Sequence, residues 1–518
     1  MKGRFYTYCV MVLVCCALMS SQVYASNVKT LQIDNIGVIG STVFGADAFK
    51  PILAKYRHRR ITFAELRHAA SEIASLYRQH GYLLVKAYIP KQKFAANTAF
   101  IDVVEGKLGK VIIKGKHPYY SDKFIRNYFA PLQDGKIYSQ GKLERALLTL
   151  NDFPKLKVVA MLEPGSVSGT SDLVVDANNS RPVSVTLDYN NFGSLYTGRN
   201  RFSATLDVGN LLQEGSRLIV RGTTSNRPSE LGFGSIDYSL PVGNLGTRVG
   251  VTLQKGTYDV GGDLSVLNLN GDIKGYGIYA SHPFILRKRF SFKGRIGFNL
   301  QDTTQDMMNK LSSEDKIRTV DIGLSVESYD IKGRSFFSLG VSRGMGKFMD
   351  GTDNNSFYAS RAGAGDSFTK YTASVMRLQR FNDSFYGILR GNGQLANSSL
   401  VSSEMFTIGG ANSVRGYNWG EHSGDNGFNG TVELRYSPLA AHKDALQLLA
   451  FMDYGWVKVK TPAKGQDDSQ DLTGTGIGAR VKLPHSVSLS ADVGLPLNPA
   501  HASDGKSLHY YLSSTIKF

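Results

Sequence analysis

The chain ends in an alternating segment, Leu508-His509-Tyr510-Tyr511-Leu512-Ser513-Ser514-Thr515-Ile516-Lys517-Phe518. Successive side chains of a β-strand point to opposite faces, so one face of this segment is mostly apolar and aromatic. The other face carries His509, Ser513, Thr515 and Lys517. A strand between lipid and a watery lumen has this pattern, and the abundance of glycine and aromatic residues (55 Gly, 26 Tyr, 27 Phe) agrees with it. The segment therefore predicts a transmembrane β-barrel.

The same alternation fills the last two thirds of the chain and predicts sixteen antiparallel strands. They are placed near 182–191, 199–209, 215–224, 231–241, 246–257, 272–282, 288–301, 315–329, 333–344, 368–380, 384–396, 428–438, 445–456, 472–484, 486–496 and 508–518. An even number of strands is expected of a closed single-chain barrel. Connections after even strands are short, whereas several after odd strands are long, as in outer-membrane barrels with a periplasmic amino terminus. A β-sandwich also alternates, but it does not keep charged residues on its buried face.

The longest of these connections, residues 396–427, contains Gly409-Gly410-Ala411-Asn412-Ser413-Val414-Arg415-Gly416-Tyr417-Asn418-Trp419. Connections of this length are uncommon without a function. Glycines around one arginine and two aromatic residues indicate a backbone folded back on itself, with a charged tip held by a fixed partner. A solvated surface loop is the alternative.

The amino-terminal third predicts two small αβ modules in tandem. The first contains strands near 31–38, 83–89 and 98–104, a helix over 46–56, and a longer helix that Thr62 caps with Glu65 as a capping box. The second repeats this order with helices over 121–129 and 139–150 and strands over 157–163 and 172–177. Tandem units of this size are typical of repeated modules.

Several motifs resemble those of known families. The segments Gly81-Tyr82, 88–92 and 101–106 resemble the first POTRA domain of two-partner secretion transporters, and 143–154 resembles the second. Val414-Arg415-Gly416-Tyr417 resembles the sixth-loop motif of the superfamily that includes BamA-type insertases. Phe518 resembles the carboxy-terminal aromatic signal that barrel assembly machinery recognises.

The resemblance implies a partner for Arg415. In that superfamily the loop folds into the lumen, and its arginine pairs with the aspartate of an F-x-D-x-G motif, which matches Phe451-Met452-Asp453-Tyr454-Gly455 here. Strand parity agrees, because the apolar neighbours of Asp453 occupy the lipid-facing positions. A bare carboxylate in the lumen is costly, and arginine can bind it in bidentate geometry. A static latch and a moving switch both require this pair.

The predicted organisation is a signal peptide (1–25), POTRA 1 (26–115), POTRA 2 (116–180) and a barrel (181–518). All three cysteines fall in the signal peptide, so disulfides and cysteine metal sites are not expected. Residues 26–180 carry 22 Lys and Arg against 13 Asp and Glu. No nucleic-acid motif accompanies this charge, so a partner polypeptide or anionic lipid is expected instead.

The chain is thus identified as a member of the two-partner secretion transporters of the ShlB/FhaC/HecB type. The resemblance implies an outer-membrane pore that secretes a large partner of the adhesin or haemolysin class, captured unfolded by periplasmic POTRA domains. Whether secretion activates that partner stays open. The predicted mature chain begins a few residues before its first strand, so either a plug helix is absent or closure depends on the sixth loop.

An insertase that assembles other barrels is the alternative within this fold, and an enzyme or passive porin the alternative outside it. No catalytic, metal or cofactor site is predicted. Gly340-Val341-Ser342-Arg343-Gly344 fits the nucleophile-elbow pattern but lies at a strand end, and Gly474-Thr475-Gly476-Ile477-Gly478 lies within a strand. Asp350–Asn355 is acidic, and a solvated loop is its default interpretation.

Overall fold

A computed structural model describes residues 29–132, 137–167, 169–439, 442–499 and 502–518. The predicted signal peptide therefore lies outside the described residues. The described chain forms two compact units. The first holds the residues up to Lys110 with those of Leu132–Gln140 and Leu162–Leu173, and the second holds Val111–Pro131, Gly141–Met161 and Val174–Phe518.

The first αβ module follows the predicted pattern with one correction. Its elements are β1 (Thr30–Ile33), β2 (Asn35–Ile39), α1 (Ala46–Leu53), β3 (Arg59–Thr62), α2 (Phe63–Gln79), β4 (Val85–Tyr88) and β5 (Thr98–Glu105). Strands β2, β5 and β4 form a three-stranded sheet, and β1 pairs with β3. The single strand predicted over 31–38 is wrong, because Asp34 separates two short strands that pair with different partners.

Helix α2 has the predicted capping box and core face. The Glu65 N–H donates to Thr62 Oγ1 at 3.2 Å, and the Thr62 N–H donates to Glu65 Oε2 at 2.7 Å. Leu66, Ile73 and Tyr77 are fully buried on one side of the helix. Gly81 follows the helix end with φ +84°, a conformation that favours glycine.

The second αβ module contains β6 (Lys107–Lys114), α3 (Asp122–Tyr128), α4 (Gln140–Leu150), β7 (Leu156–Pro164) and β8 (Thr170–Asn179). Its sheet has the order β6-β8-β7. The boundary predicted at residue 115 therefore lies too late in the chain, because strand β6, which precedes it, belongs to the second sheet. The chain changes sheets at Gly106, where an added Cβ would lie 2.1 Å from the Leu84 carbonyl oxygen.

Helix α4 is joined to turns of the barrel within the second unit. Arg145 donates through Nη2 to the carbonyl oxygens of Pro283 (2.6 Å) and Phe284 (2.7 Å), and through Nη1 to that of Leu245 (3.1 Å). Asn244 Nδ2 donates to the Asn127 carbonyl oxygen at 2.9 Å. The arginine of the POTRA-like segment 143–154 thus bonds directly to the backbone at one end of the barrel.

Within the described residues, sixteen antiparallel strands close a barrel, as predicted. They are β9 (Val183–Asn190), β10 (Arg201–Gly209), β11 (Arg217–Ser225), β12 (Leu231–Val242), β13 (Thr247–Asp259), β14 (Asn270–Arg287), β15 (Phe290–Met307), β16 (Lys310–Asp330), β17 (Gly333–Gly344), β18 (Thr369–Arg380), β19 (Phe385–Ala396), β22 (Asn426–Tyr436), β23 (Leu446–Lys458), β24 (Ser469–Leu483), β25 (Val487–Pro496) and β26 (His509–Lys517). A short hairpin, β20 (Phe406–Ile408) and β21 (His422–Gly424), interrupts the run. Short 3-10 turns occur at Ala95–Asn97, Ala130–Leu132, Gly262–Leu267, Phe348–Asp350 and Ser402–Glu404.

Strands β14, β15 and β16 are longer than predicted, at 18, 18 and 21 residues. The predicted loop between the last two is reduced to a turn at Met308 and Asn309, both with positive φ. Such a two-residue turn joins antiparallel strands without distorting their twist. The intervening sequence is polar on both faces, so it lacks the apolar alternation that identifies a lipid-facing strand.

Side-chain parity separates a lipid face from a lumen face throughout the barrel. Tyr510 is 58% exposed, whereas its neighbours His509 and Tyr511 are 4% and 6% exposed. Met452 is 55% exposed beside Asp453 at 0%. Apolar residues therefore point outward and polar residues inward, as predicted. None of the helices in the described part of the chain is long and apolar enough to cross a membrane.

Candidate functional site: the loop-6 seat

Loop 6 is defined here as residues 397–425, between β19 and β22. Its hairpin β20–β21 carries a tip, residues 409–420, that lies against the lumen face of β23, β24 and β25. A Cβ added at Gly474 of β24 would meet the Arg415 carbonyl oxygen at 1.8 Å, and one at Gly494 of β25 would meet Gly416 N at 2.6 Å. The loop is thus folded into the barrel, as the resemblance implied.

Arg415 and Asp453 form a buried bidentate pair. The guanidinium donates through Nε to Asp453 Oδ2 at 2.7 Å and through Nη2 to Oδ1 at 3.0 Å. The Arg415 backbone N–H also donates to Oδ2, at 3.1 Å. Arg415 is 5% exposed and Asp453 is fully buried. Removing one partner of such a buried pair strongly destabilises the folded protein, because the other charge stays buried without a counterion.

Two further carboxylates take part, and the sequence analysis did not assign them to the site. Arg415 Nη1 donates to Glu433 Oε2 at 3.1 Å and to Asp492 Oδ2 at 3.3 Å. Glu433 also pairs with Arg435, and Asp492 with Arg480. Strand parity offered a signal, since both acids fall on lumen-facing positions of β22 and β25.

The F-x-D-x-G motif supplies three different contacts. The Phe451 ring centroid lies 3.3 Å from the Arg415 guanidinium carbon, a cation–π contact. Asp453 holds the charge. Gly455 leaves space for the loop, because a Cβ there would lie 2.7 Å from Val414 Cγ2. Each of the three motif positions therefore faces the tip.

We call the part of the barrel wall that contacts the tip the seat. Besides the charged residues above, it contains three glycines, Gly455, Gly474 and Gly494. They face the lumen on three adjacent strands. A side chain at Gly474 or Gly494 would collide with the tip backbone, and one at Gly455 with the side chains of Val414 and Ile408. Gly474 belongs to the glycine-rich stretch Gly474–Gly478, which was predicted to lie within a strand. Its role in the structure is close approach of another backbone.

Gly416 and Tyr417 fix the conformation of the tip. Gly416 has φ +105°, and its N–H donates to the Tyr511 hydroxyl at 3.0 Å. That hydroxyl donates to the Tyr417 carbonyl oxygen at 2.7 Å. Tyr417 is fully buried and donates its own hydroxyl to the Thr473 carbonyl oxygen at 3.0 Å. Val414, also fully buried, packs in an apolar cluster with Ile408, Tyr417, Val457 and Leu472.

Phe518 lies apart from the seat, at the strand seam. Its side chain is 68% exposed, and its N–H donates to the Val185 carbonyl oxygen at 2.8 Å. Two further segments, at Gly340–Gly344 and Asp350–Asn355, also lie outside the seat. Gly340–Gly344 ends β17, and among the described residues only a three-residue 3-10 turn lies between it and β18. Asp350 and Asp353 pair with Lys316 and Lys347. Among the described residues, no group of three or more His, Cys, Asp or Glu could hold a metal ion.

Comparison with known proteins gives the family. The model of the haemolysin secretion/activation protein ShlB/FhaC/HecB family matches residues 169–481, and that of the ShlB-type POTRA domain matches residues 31–106. The chain belongs to this family. Members of the family are two-partner secretion transporters of the outer membrane, with periplasmic POTRA domains, and they work with large secreted partner proteins. The protein is therefore an outer-membrane transporter of this type.

Relatives and solved structures agree with this assignment. The chain is 28% identical over 479 residues to the heme/hemopexin transporter protein HuxB of Haemophilus influenzae, covering 91% of this chain and 84% of HuxB. It is 24% identical over 408 residues to the outer membrane transporter CdiB of Dickeya dadantii, covering 76% and 70%. The structure of CdiB from Escherichia coli matches with a TM-score of 0.82 at 21% identity, covering 96% and 92%. BamA from Haemophilus ducreyi, without POTRA domains 1–3, shares the fold at a TM-score of 0.55 and 13% identity, covering 95% and 100%.

Loop 5 (residues 345–368) contains a buried carboxylate, Asp366, whose protonation is expected to change near neutral pH. Asp366 is fully buried, and neither carboxylate oxygen accepts a hydrogen bond of normal geometry from a described residue. Burial raises the pKa of Asp366 to about 7, although the Arg318 guanidinium opposes this shift. Ionisation of the buried Asp366 carboxylate destabilises the folded loop. This destabilisation is absent below the ordinary pKa of aspartate, grows as the pH rises towards 7 and reaches its full value above pH 7.

We therefore expect loop 5 to loosen as the pH rises from 6 to 8. Hydrogen exchange of residues 345–368, corrected for intrinsic rates, should show lower protection at pH 8 in the wild-type transporter. Asp366→Asn should remove this dependence, whereas Asp350→Asn, whose carboxylate is 82% exposed, should retain it. Equal protection of the wild type at both pH values would contradict the assignment.

Proposed function

We propose that this transporter passes one large exoprotein, unfolded, from the periplasm through its barrel lumen, and that the loop-6 tip closes the path until it leaves its seat. The observation that carries the proposal is the Arg415 network. It joins a loop to three strands of the wall through one side chain, so a single displacement breaks every polar contact of that guanidinium.

Two of the three wall carboxylates that bind Arg415 keep another arginine partner when the tip moves away. Glu433 keeps Arg435, and Asp492 keeps Arg480, when Arg415 moves away. Asp453 has only Arg415 as a hydrogen-bonding side chain among the described residues. Opening therefore uncovers one lumen carboxylate rather than three, and water entering the lumen can solvate it. This arrangement favours a moving switch over a static latch.

Client capture is assigned to the POTRA modules. Strand β7 lies at an edge of its sheet, and Val159 and Met161 on it are 60% and 59% exposed. An extended polypeptide can pair with such an edge through main-chain hydrogen bonds while its apolar side chains cover the exposed ones. The proposed client is an adhesin- or haemolysin-class exoprotein captured before it folds.

The transporter is proposed to perform no chemical reaction, and folding of the client outside the cell is proposed to supply direction. Outer-membrane lipid is the proposed partner of the exposed apolar face, and barrel assembly machinery the proposed partner of Phe518 during biogenesis. The basic amino-terminal third suits a polypeptide partner, and no nucleic-acid partner is proposed.

Deletion of the gene tests the proposal. The mutant should fail to release a large exoprotein encoded nearby, while the amounts of other outer-membrane barrels stay normal. Complementation with the wild-type chain should restore release. A general loss of barrels would instead support an insertase, and unchanged release would contradict a secretion role.

A further inference from the structure

Both ends of loop 6 are tied to neighbouring loops by one buried carboxylate. We infer that Asp425 is a positioning residue that fixes these ends, so that only the tip, residues 409–420, moves when the transporter opens. This inference rests on the proposed function and adds which part of loop 6 is stationary. We call Asp425, its hydrogen-bonding partners and the side chains packed around them the collar.

Every lone-pair direction of the Asp425 carboxylate is used. Oδ1 accepts from Arg361 Nη1 and from the Leu400 N–H, both at 2.7 Å. Oδ2 accepts from Arg361 Nη2 at 3.3 Å and from the Lys460 N–H at 2.7 Å. Asp425 is fully buried. A single carboxylate at the end of loop 6 therefore holds loop 5, the beginning of loop 6 and loop 7 (residues 459–468).

Apolar packing reinforces the collar. Ala364 and Phe368 of loop 5 and Leu400 and Val401 of loop 6 are fully buried in one cluster, together with Ile317 of β16. Ser399 Oγ lies 2.8 Å from Thr461 Oγ1, which adds a second link between loops 6 and 7. Freeing this end of loop 6 would expose these side chains and leave an unpaired buried carboxylate.

The tip, by contrast, is bounded by backbone pivots. Gly409 and Gly410 have φ +101° and +94°, and Gly420 has φ +74°. Glycine can adopt and leave these positive φ angles without the steric penalty that a Cβ atom imposes. Hinges commonly consist of a few residues next to helices or strands. These pivots lie directly after β20 and before β21, so the tip can swing while the hairpin stays with the collar.

Two cysteine pairs test the division. Ser399→Cys with Thr461→Cys locks the collar, since the two hydroxyl oxygens lie 2.8 Å apart. Ser413→Cys with Asn429→Cys locks the tip, since Asn429 Nδ2 lies 3.2 Å from Ser413 Oγ. Each pair is bridged by a short bis-methanethiosulfonate reagent, which spans more than a direct disulfide and is removed by reductant. The sequence has no cysteine after Cys16, so the described residues contain no other thiol that could compete. Cross-linking is driven to completion and verified by gel mobility, and release of the exoprotein is measured with and without reductant.

The collar-locked transporter should secrete like the wild type, whereas the tip-locked one should secrete about tenfold less or not at all until reduced. A reversible block in the collar-locked transporter would overturn the inference while leaving a moving tip intact. Normal secretion by the tip-locked transporter would instead overturn the proposed function of the tip.

Substitution gives a second test that needs no cross-link. Asp425→Ala should lower secretion about tenfold and increase passive entry of a large antibiotic, because the loop then lacks its fixed base. Asp444→Asn, at an exposed carboxylate that pairs with Lys482, is the matched control and should leave both unchanged. Normal secretion and a closed pore with Asp425→Ala, at a normal level of folded barrel, would overturn the positioning role.

Discussion

Arg415→Ala is expected to abolish release of the exoprotein while the barrel still inserts into the outer membrane. The substitution leaves Asp453 without its hydrogen-bonding side chain at a site that excludes water. Removing one member of a buried ion pair costs about 3–5 kcal/mol, which is enough to move the tip off its seat in most molecules. A tip that does not return cannot close or reset the path. The strands are unaffected, because their ladder does not include Arg415.

Release into the medium and heat-modifiable mobility of the barrel measure the two halves of this prediction. Arg415→Lys keeps the charge but loses the planar fork, so it should retain little activity. Arg227→Ala removes an exposed arginine that pairs with Glu230 in another extracellular loop, and it should secrete normally. Wild-type release by Arg415→Ala would show that the network is dispensable.

Gly474→Ala is expected to have a similarly large effect through shape alone. The added Cβ would lie 1.8 Å from the Arg415 carbonyl oxygen, a contact between a strand and a loop backbone that no rotamer change relieves. Overpacking of this kind typically costs about 1–3 kcal/mol, and the tip relieves it by leaving the seat. We expect secretion to fall about tenfold or more and passive conductance to rise.

Gly275→Ala is the matched control, because Gly275 also faces the lumen but its added Cβ would meet only Gln254 side-chain atoms at 3.5 Å. Planar-bilayer conductance distinguishes the two variants without dependence on a client. Equal conductance in Gly474→Ala and wild type would contradict the close fit of tip and wall.

Strand parity carried most of what the sequence predicted correctly. Alternation around Asp453 gave its lumen orientation, and consecutive antiparallel pairing then required closure, since an open sheet would leave lipid-exposed edges. The parts of β15 and β16 between residues 301 and 315 were missed, because they are polar on both faces and lack apolar alternation. The boundary between the two αβ modules was misplaced because strand β6 is compatible with either sheet by local pattern.

The seat was only partly accessible to sequence reasoning. Motif resemblance implied Arg415 and Asp453, but Glu433 and Asp492 come from strands whose charged lumen residues look alike in sequence. Which of these acids reaches Arg415 depends on where the tip lies, a matter of tertiary packing. The glycines of the seat likewise resemble ordinary strand glycines until the loop backbone is placed against them.

Site-specific cross-linking can show which path the client takes through the transporter. A photo-cross-linking amino acid at residue 221, whose side chain faces the lumen, is compared with one at residue 236, whose side chain faces lipid and is 41% exposed. With an exoprotein arrested during export, we expect cross-links at residue 221 and none at residue 236. Cross-links at residue 236 alone would contradict passage through the lumen and indicate that clients leave along the lipid face.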